Sequence, residues 1–178
     1  MRRIGIDPGK TGAIAAIGNT SVEKYTTPLV GKEFDLSAFE VLLLQYKGDP
    51  NVHVCIEDVH AVFGSAAGAT FSFGFVCGAI QGIVSALRIP FTLVQPKMWQ
   101  KEMYQGIPEI RKPDIKIKKG KRVGQSMKGK RDTKAMSLLA AKRLFPNVDL
   151  RASERCRIPH DGIVDALLLA EYCRRKFK

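Results

Sequence analysis

The sequence predicts an α/β fold in which a mixed, five-stranded sheet is flanked by helices. Two observations carry that expectation. Short apolar runs bounded by turn residues come first along the chain, and strand-length and helix-length segments then alternate before two helices close it. With 178 residues, 45% of them hydrophobic, the chain is long enough to bury an ordinary core as one domain, residues 1–178.

Ile4 to Asp7 and Gly12 to Gly18 read as two strands joined at Pro8-Gly9, and Ser21 to Thr27 returns as a third, giving a β-meander. Ser37 to Tyr46 predicts a helix with a broad apolar face, stopped by Lys47-Gly48-Asp49-Pro50. Val52 to Glu57 is β-branched and apolar, a buried strand that finishes on Glu57 and Asp58. Gly64 to Leu87 is rich in Gly, Ala and Phe, and its later part, Val76 to Leu87, predicts a small-residue helix ended by Pro90. Phe91 to Val94 is the last strand, and Pro96-Lys97-Met98-Trp99-Gln100 has the form of a first helical turn. Thr133 to Phe145 places Met136, Leu139, Ala140 and Leu144 at helical spacing, and Asp161 to Phe177 predicts the final helix. No internal repeat is visible.

The 29 Lys and Arg outweigh the 17 Asp and Glu, for a net charge of +12, which points to a polyanionic partner, nucleic acid first. No apolar run reads as long enough to span a bilayer, so no membrane partner is expected. Met1 to Asp7 lacks the apolar core of a signal peptide, which predicts a cytoplasmic protein. Cys55, Cys77, Cys156 and Cys173 are scattered without metal or redox spacing and are expected to be reduced thiols. Between Lys112 and Lys134 ten basic residues stand against two acidic ones, with Gly120, Gly124 and Gly129 interspersed, which predicts a mobile, cationic loop at about 112–132.

Acids stand at the ends of three elements: Asp7 and Glu57 at strand ends, Asp161 and Asp165 at the start of the last helix. Phosphodiester cleavage with two magnesium ions requires several carboxylates around sites roughly 4 Å apart. Asp161 and Asp165 are four residues apart, hence on one helical face and about 6 Å apart along the axis, where their charges repel unless a cation lies between them. Plainer readings stay open: Asp161 as a helix N-cap, Asp165 as a favourable first-turn charge, Asp7 as a turn-initiating residue, Glu57 as a solvated strand end with Asp58 as its competitor. His160 beside Asp161 has the chemistry of a general acid or base, whereas His53 and His60 show no partner spacing and read as structural. Gly5 to Thr11 imitates a phosphate-binding loop but is one residue short and runs into an apolar strand, so no nucleotide cofactor is expected.

Ile4-Gly5-Ile6-Asp7-Pro8-Gly9 resembles the opening of RuvC-type Holliday junction resolvases. So do Ile56-Glu57, Pro90-Phe91 leading into Val94-Gln95-Pro96-Lys97-Met98-Trp99, Lys130 to Lys134 opening a helix, and His160-Asp161-Gly162-Ile163-Val164-Asp165, which together span nearly the whole chain. The Gln-Pro-x-x-Trp and His-Asp-Gly stretches are most similar to phage and chloroplast members. The resemblance implies an RNase H-like fold, a homodimer with two active sites, and paired nicks across four-way DNA junctions with Mg2+, two ions per site, or with Mn2+. Carried over by motif, the acids are Asp7, Glu57 and Asp165, with His160 or Asp161 as the fourth and Asp161 preferred. The family pattern places that fourth ligand three residues before the last acid, where this chain has Gly162.

Lys97, Lys118, Lys119, Lys121, Arg122, Lys128, Lys130, Arg131 and Lys134 are the candidate DNA contacts, and Phe63, Phe71, Phe73 and Phe75 offer aromatic faces for unpaired bases at a branch point. Two rival functions use the same residues. One is a nuclease of this fold that acts on flaps, forks or RNA–DNA hybrids; the other is a non-catalytic binder of branched DNA that uses only the cationic segment.

Overall fold

The computed structural model describes residues 1–59, 66–116 and 123–177. β1 (Arg2–Asp7), β2 (Ala13–Ile17) and β3 (Val22–Thr26) form the expected antiparallel meander. A small hairpin, β4 (Leu29–Val30) with β5 (Glu33–Phe34), leads into α1 (Leu36–Leu44), where Asp35 caps the helix by accepting from the Ala38 N–H at 3.0 Å. Then follow β6 (Val52–Glu57), α2 (Ala67–Ala86), β7 (Phe91–Val94), α3 (Pro96–Met103), β8 (Ile115–Lys116), β9 (Ser126–Met127), α4 (Thr133–Leu144) and α5 (Asp161–Lys176). The main sheet has five strands in the order β3-β2-β1-β6-β7, with β6 and β7 parallel to β1, so the α/β class and the mixed five-stranded sheet stand as predicted.

Side-chain alternation divides the core between the two faces of this sheet. Ile4, Ile6, Ile14, Val54 and Ile56 join Phe39 and Leu43 of α1 and Val76, Ile80 and Val84 of α2 on one face. Ala13, Ala15 and Cys55 meet Ile163, Val164, Ala166 and Leu167 of α5 on the other. The small residues on that second face let α5 lie almost on the strands. A Cβ added at Gly5 would stand 2.1 Å from Ala166 O and 2.4 Å from Ala170 N, so β1 and α5 touch backbone to backbone.

The structure departs from the sequence reading in three places. First, α2 begins at Ala67 rather than Val76, which puts Phe71, Phe73 and Phe75 on a helix. Burial of Val76, Ile80 and Val84 anchors it despite glycines of low helix propensity. Second, this extension makes α2 long and apolar enough to cross a membrane by length and composition, with a mean hydropathy of 1.5, contrary to the expectation that no run reaches that length. Only 17% of that stretch is buried, so its outer face is open. Third, the cationic segment is not simply a loop. β8 and β9 pair antiparallel and Arg111 bridges Arg131, which makes its base a two-stranded ribbon. Lys118, Lys119, Lys121 and Arg122 lie outside the described residues, as do His60 and Phe63.

Candidate active site

Strand periodicity begins the site. Gly5 and Asp7 share the α5 face of β1, and Cys55 and Glu57 share the same face of β6. Ile6 is in register with Ile56, so Asp7 and Glu57 follow at the same level on adjacent parallel strands, which lie about 4.8 Å apart. Asp58 is one residue further and turns to the opposite face, while its N–H donates to Val94 O at 2.8 Å. α5, held against β1, brings Asp165 to the two strand-end acids, and one turn earlier Asp161 stands exposed at the rim.

The first turn of α5 distinguishes His160 from Asp161. His160 is the N-cap, its Nδ1 accepting from the Ile163 N–H at 3.3 Å, and Asp161 is the first helical residue, so the reading of Asp161 as the cap does not hold. Asp161 instead pairs with Lys134 of α4, Oδ2 to Nζ at 2.5 Å. At Gly162 an added Cβ would meet Thr11 O at 2.6 Å and the Gly12 backbone at 2.8 Å, so this chain has no room there for a side chain.

Asp7, Lys134, His160, Asp161 and Asp165 line a cleft of about 530 Å³ that also takes in Thr11 and Ile158. Its electrostatics are those of crowded carboxyls. Burial, then the charges of Glu57, Asp165 and Asp161, hold the Asp7 carboxyl well above its ordinary range, with Lys134 opposing. Burial pushes Glu57 up to about 7, against the Trp99 hydrogen bond and with the help of Asp165. Asp165 is raised to about 6, again chiefly by burial, with Ser137 and Lys134 holding it down. Among the described residues, Asp165 Oδ1 is a buried side-chain oxygen without a hydrogen-bond partner.

An all-oxygen donor set, mutual repulsion and an orphaned carboxylate oxygen together suit a hard divalent cation. Among the described residues no three acidic, histidine or cysteine side chains are drawn in closely enough to form a ready cage. Two of the acids are engaged by internal donors: Trp99 Nε1 donates to Glu57 Oε1 at 2.9 Å, and Lys134 Nζ donates to Asp161 Oδ2. Asp7, Glu57 and Asp165 are the residues that would hold an ion, and Asp161 beside them is paired with Lys134.

The other predicted site residues are dispersed. Lys97 is exposed on the first turn of α3 and is not among the cleft-lining residues. Lys128 and Lys130 are exposed on the ribbon, whereas the Arg131 guanidinium lies 5.3 Å over the Tyr104 ring and its Nε donates to Met136 Sδ at 3.2 Å. Phe73 packs beside Gly9, and Phe71 and Phe75 border a small cavity of about 240 Å³ with Lys10 and Phe34, next to the turn that follows Asp7. His53 bonds Thr92 at 3.0 Å and stacks on Phe177, consistent with its structural reading. Sequence reasoning gave no role to Trp99, Tyr104 or Ser137. The signal for Trp99 was present: a buried tryptophan needs an acceptor for its N–H.

The central meander, the parallel β6 and β7, and the helix laid across β1 with acids at the strand ends define the RNase H-like fold. Solved RuvC structures share it. A Thermus thermophilus RuvC structure matches with a TM-score of 0.51 at 17% identity, covering 98% of this chain and 96% of that one. The T. thermophilus RuvC in complex with Holliday junction substrate matches with a TM-score of 0.55 at 14% identity, covering 99% and 96%. No protein-family model matches the sequence, and no curated protein does.

Proposed function

We propose that this protein is a homodimeric, structure-specific endonuclease that resolves four-way DNA junctions by metal-dependent phosphodiester hydrolysis. The observation that carries this reading is the convergence of Asp7, Glu57 and Asp165 on one face of an RNase H-like sheet, each with its proton affinity raised. The likeness to a RuvC solved with Holliday junction substrate supports the choice of DNA.

In this reading Asp7, Glu57 and Asp165 bind two Mg2+, or Mn2+ in their place, and Asp161 completes the set. The chemistry such ions would supply there is activation of a water for attack and stabilisation of the leaving oxygen. Asp7 is raised by the charges of all three other acids as well as by burial. Trp99 fixes the orientation of Glu57, and Lys134 offers a positive charge to a scissile phosphate at the cleft rim. His160 accepts the Ile163 N–H with Nδ1, which leaves the neutral ring's proton on Nε2 to donate a hydrogen bond to a phosphate oxygen; proton transfer by His160 would require release of the cap. The cationic residues of the ribbon and Lys97 hold the DNA arms, and Phe71 and Phe73 stack on unpaired bases. The outer face of the later part of α2, where a side chain added at Gly78 or Gly82 would meet nothing within 4 Å, forms the dimer contact.

The test is cleavage of a labelled four-way junction, against linear duplex and flap controls, by wild type and Asp7→Asn with and without Mg2+. Symmetric, metal-dependent nicking of the junction, lost in the variant while binding persists, supports the reading. Binding without cleavage in Mg2+ or Mn2+ overturns the nuclease, and preferred flap cutting changes the substrate.

A further inference from the structure

The cationic ribbon has two unlike faces. Arg111 stands opposite Arg131, Ile115 opposite Met127 and Lys116 opposite Ser126, one continuous register with three residues on each strand between the two paired segments. Both arginines are engaged on the protein: Arg131 lies over Tyr104, and Arg111 pairs with Glu109 and donates to Gly129 O at 3.2 Å. On β8, Lys116 turns to the opposite side from Ile115, while Lys112 and Lys130, next to the arginines, and Lys128, next to Met127, lie in the non-strand stretch between the paired segments. All four lysines are exposed.

This face is electrostatically costly in the protein alone. The Lys112 N–H donates to Lys130 O at 2.9 Å, which sets two lysines directly across from each other. Like charges in opposed positions destabilise a β-pair, and a lone two-stranded ribbon is marginal to begin with. Asp114, the acid between them, directs Oδ1 to the Gly129 N–H at 2.9 Å. A polyanion laid along the face removes the repulsion. The ribbon is also well placed, because it runs through Asp132, the cap of α4, directly to Lys134 on the cleft rim.

Resting on the DNA reading above, we infer that Lys112, Lys116, Lys128 and Lys130 form a docking face for the phosphate backbone of one duplex arm leaving the cleft, while Arg131, stacked over Tyr104, anchors the ribbon to the body. Lys112 and Lys116 are about 13 Å apart along a strand, which spans several phosphates of a duplex.

The experiment is fluorescence anisotropy of a labelled linear duplex and a labelled four-way junction across a salt series in chelator, where no cutting occurs. The proteins are wild type, a variant with all four lysines changed to Gln, and one with all four changed to Arg. Each phosphate contact contributes about 0.9 to the slope of log affinity against log salt, so the Gln variant should lose about 3 to 4 from the wild-type slope and the Arg variant should restore it. The Gln variant should melt no lower than wild type, because it removes the opposed charges. A Gln variant that melts like wild type and loses less than 1 from the slope overturns the docking face alone. A wild type that binds neither probe overturns the DNA reading together with it.

Discussion

Trp99 Nε1 donates to Glu57 Oε1 at 2.9 Å from a ring that is only 1% exposed. The indole meets Tyr104 edge-on at 6.1 Å, Tyr104 Oη lies 2.7 Å from Ser137 Oγ, and Ser137 acts on Asp165. Trp99 and Ser137 thus both favour ionised carboxylates, one on β6 and one on α5, from neighbouring places around Tyr104.

Trp99→Phe keeps the aromatic bulk and removes the donor. A hydrogen bond to a charged acceptor contributes roughly 1.5–3 kcal/mol, and here it favours the ionised carboxylate. Without it, the proton affinity of Glu57 should rise above its present value of about 7. The acidic limb of the pH–rate profile for metal-dependent nicking should therefore move to higher pH, with about a tenfold loss at pH 7. An unmoved limb would show that this bond does not set the state of Glu57.

The crowded acids also set a pH dependence of stability. Glu57 is raised from 4.5 to about 7 and Asp165 from 3.8 to about 6. Between those limits the folded chain keeps protons that the unfolded chain has released, so metal-free stability falls as pH rises from about 4 to 7, and Asp7, raised as well, adds to the fall in the same direction. Calorimetry in chelator should show a melting temperature that drops by several degrees across this window, at about 2–4 °C per kcal/mol. Asp7→Asn removes one of the repelling charges, so it should melt higher than wild type at pH 8. Mg2+ at a hundredfold its dissociation constant should stabilise wild type by about 2.7 kcal/mol and the variant by much less. A metal-free melting temperature that is flat from pH 4 to 7 contradicts the crowding.

Much of this site was legible in advance because it obeys simple periodicities. Asp7 and Glu57 were legible as acids ending apolar strands, and a spacing of four puts Asp161 and Asp165 on one helix face, whereas the register that levels Asp7 with Glu57 is set by the pairing of β1 with β6. What escaped depends on packing between distant segments. The Trp99–Glu57 bond needs α3 laid against the end of β6, and the Lys134–Asp161 pair needs the starts of α4 and α5 side by side. His160 rather than Asp161 caps α5, a shift of one residue that local sequence does not resolve. The basic ribbon hid because its charges and glycines outweigh the short Ile115–Met127 pairing.

The open face of α2 gives a test of assembly. Gly82 has nothing within 4 Å, so Gly82→Arg adds a long cation there without a clash inside the protomer. Sedimentation should show a dimer for wild type and a monomer for the variant, with the melting temperature of the protomer changed by only a few degrees. An unchanged dimer would remove α2 from the interface.

Gly5 joins fold to chemistry most directly. Its absent side chain leaves the space that Ala166 O and Ala170 N occupy, at 2.1 and 2.4 Å from where a Cβ would sit, and both are helix backbone atoms that cannot rotate away. Gly5→Ala therefore has to push α5 off β1, opening a core that holds Ala13, Ala15 and Cys55 against Leu167. A destabilisation of about 3 kcal/mol or more is expected from urea unfolding, at the upper end for overpacking, because the obstacle is backbone. The same displacement carries Asp165 away from Asp7, so nicking by the fraction that remains folded should fall at least a hundredfold. Asp165 would also be relieved of repulsion from Asp7, and the metal-free pH dependence of stability should flatten in step. An alanine variant with wild-type unfolding and wild-type cleavage would show that the close approach of β1 and α5 is not what brings the acids together.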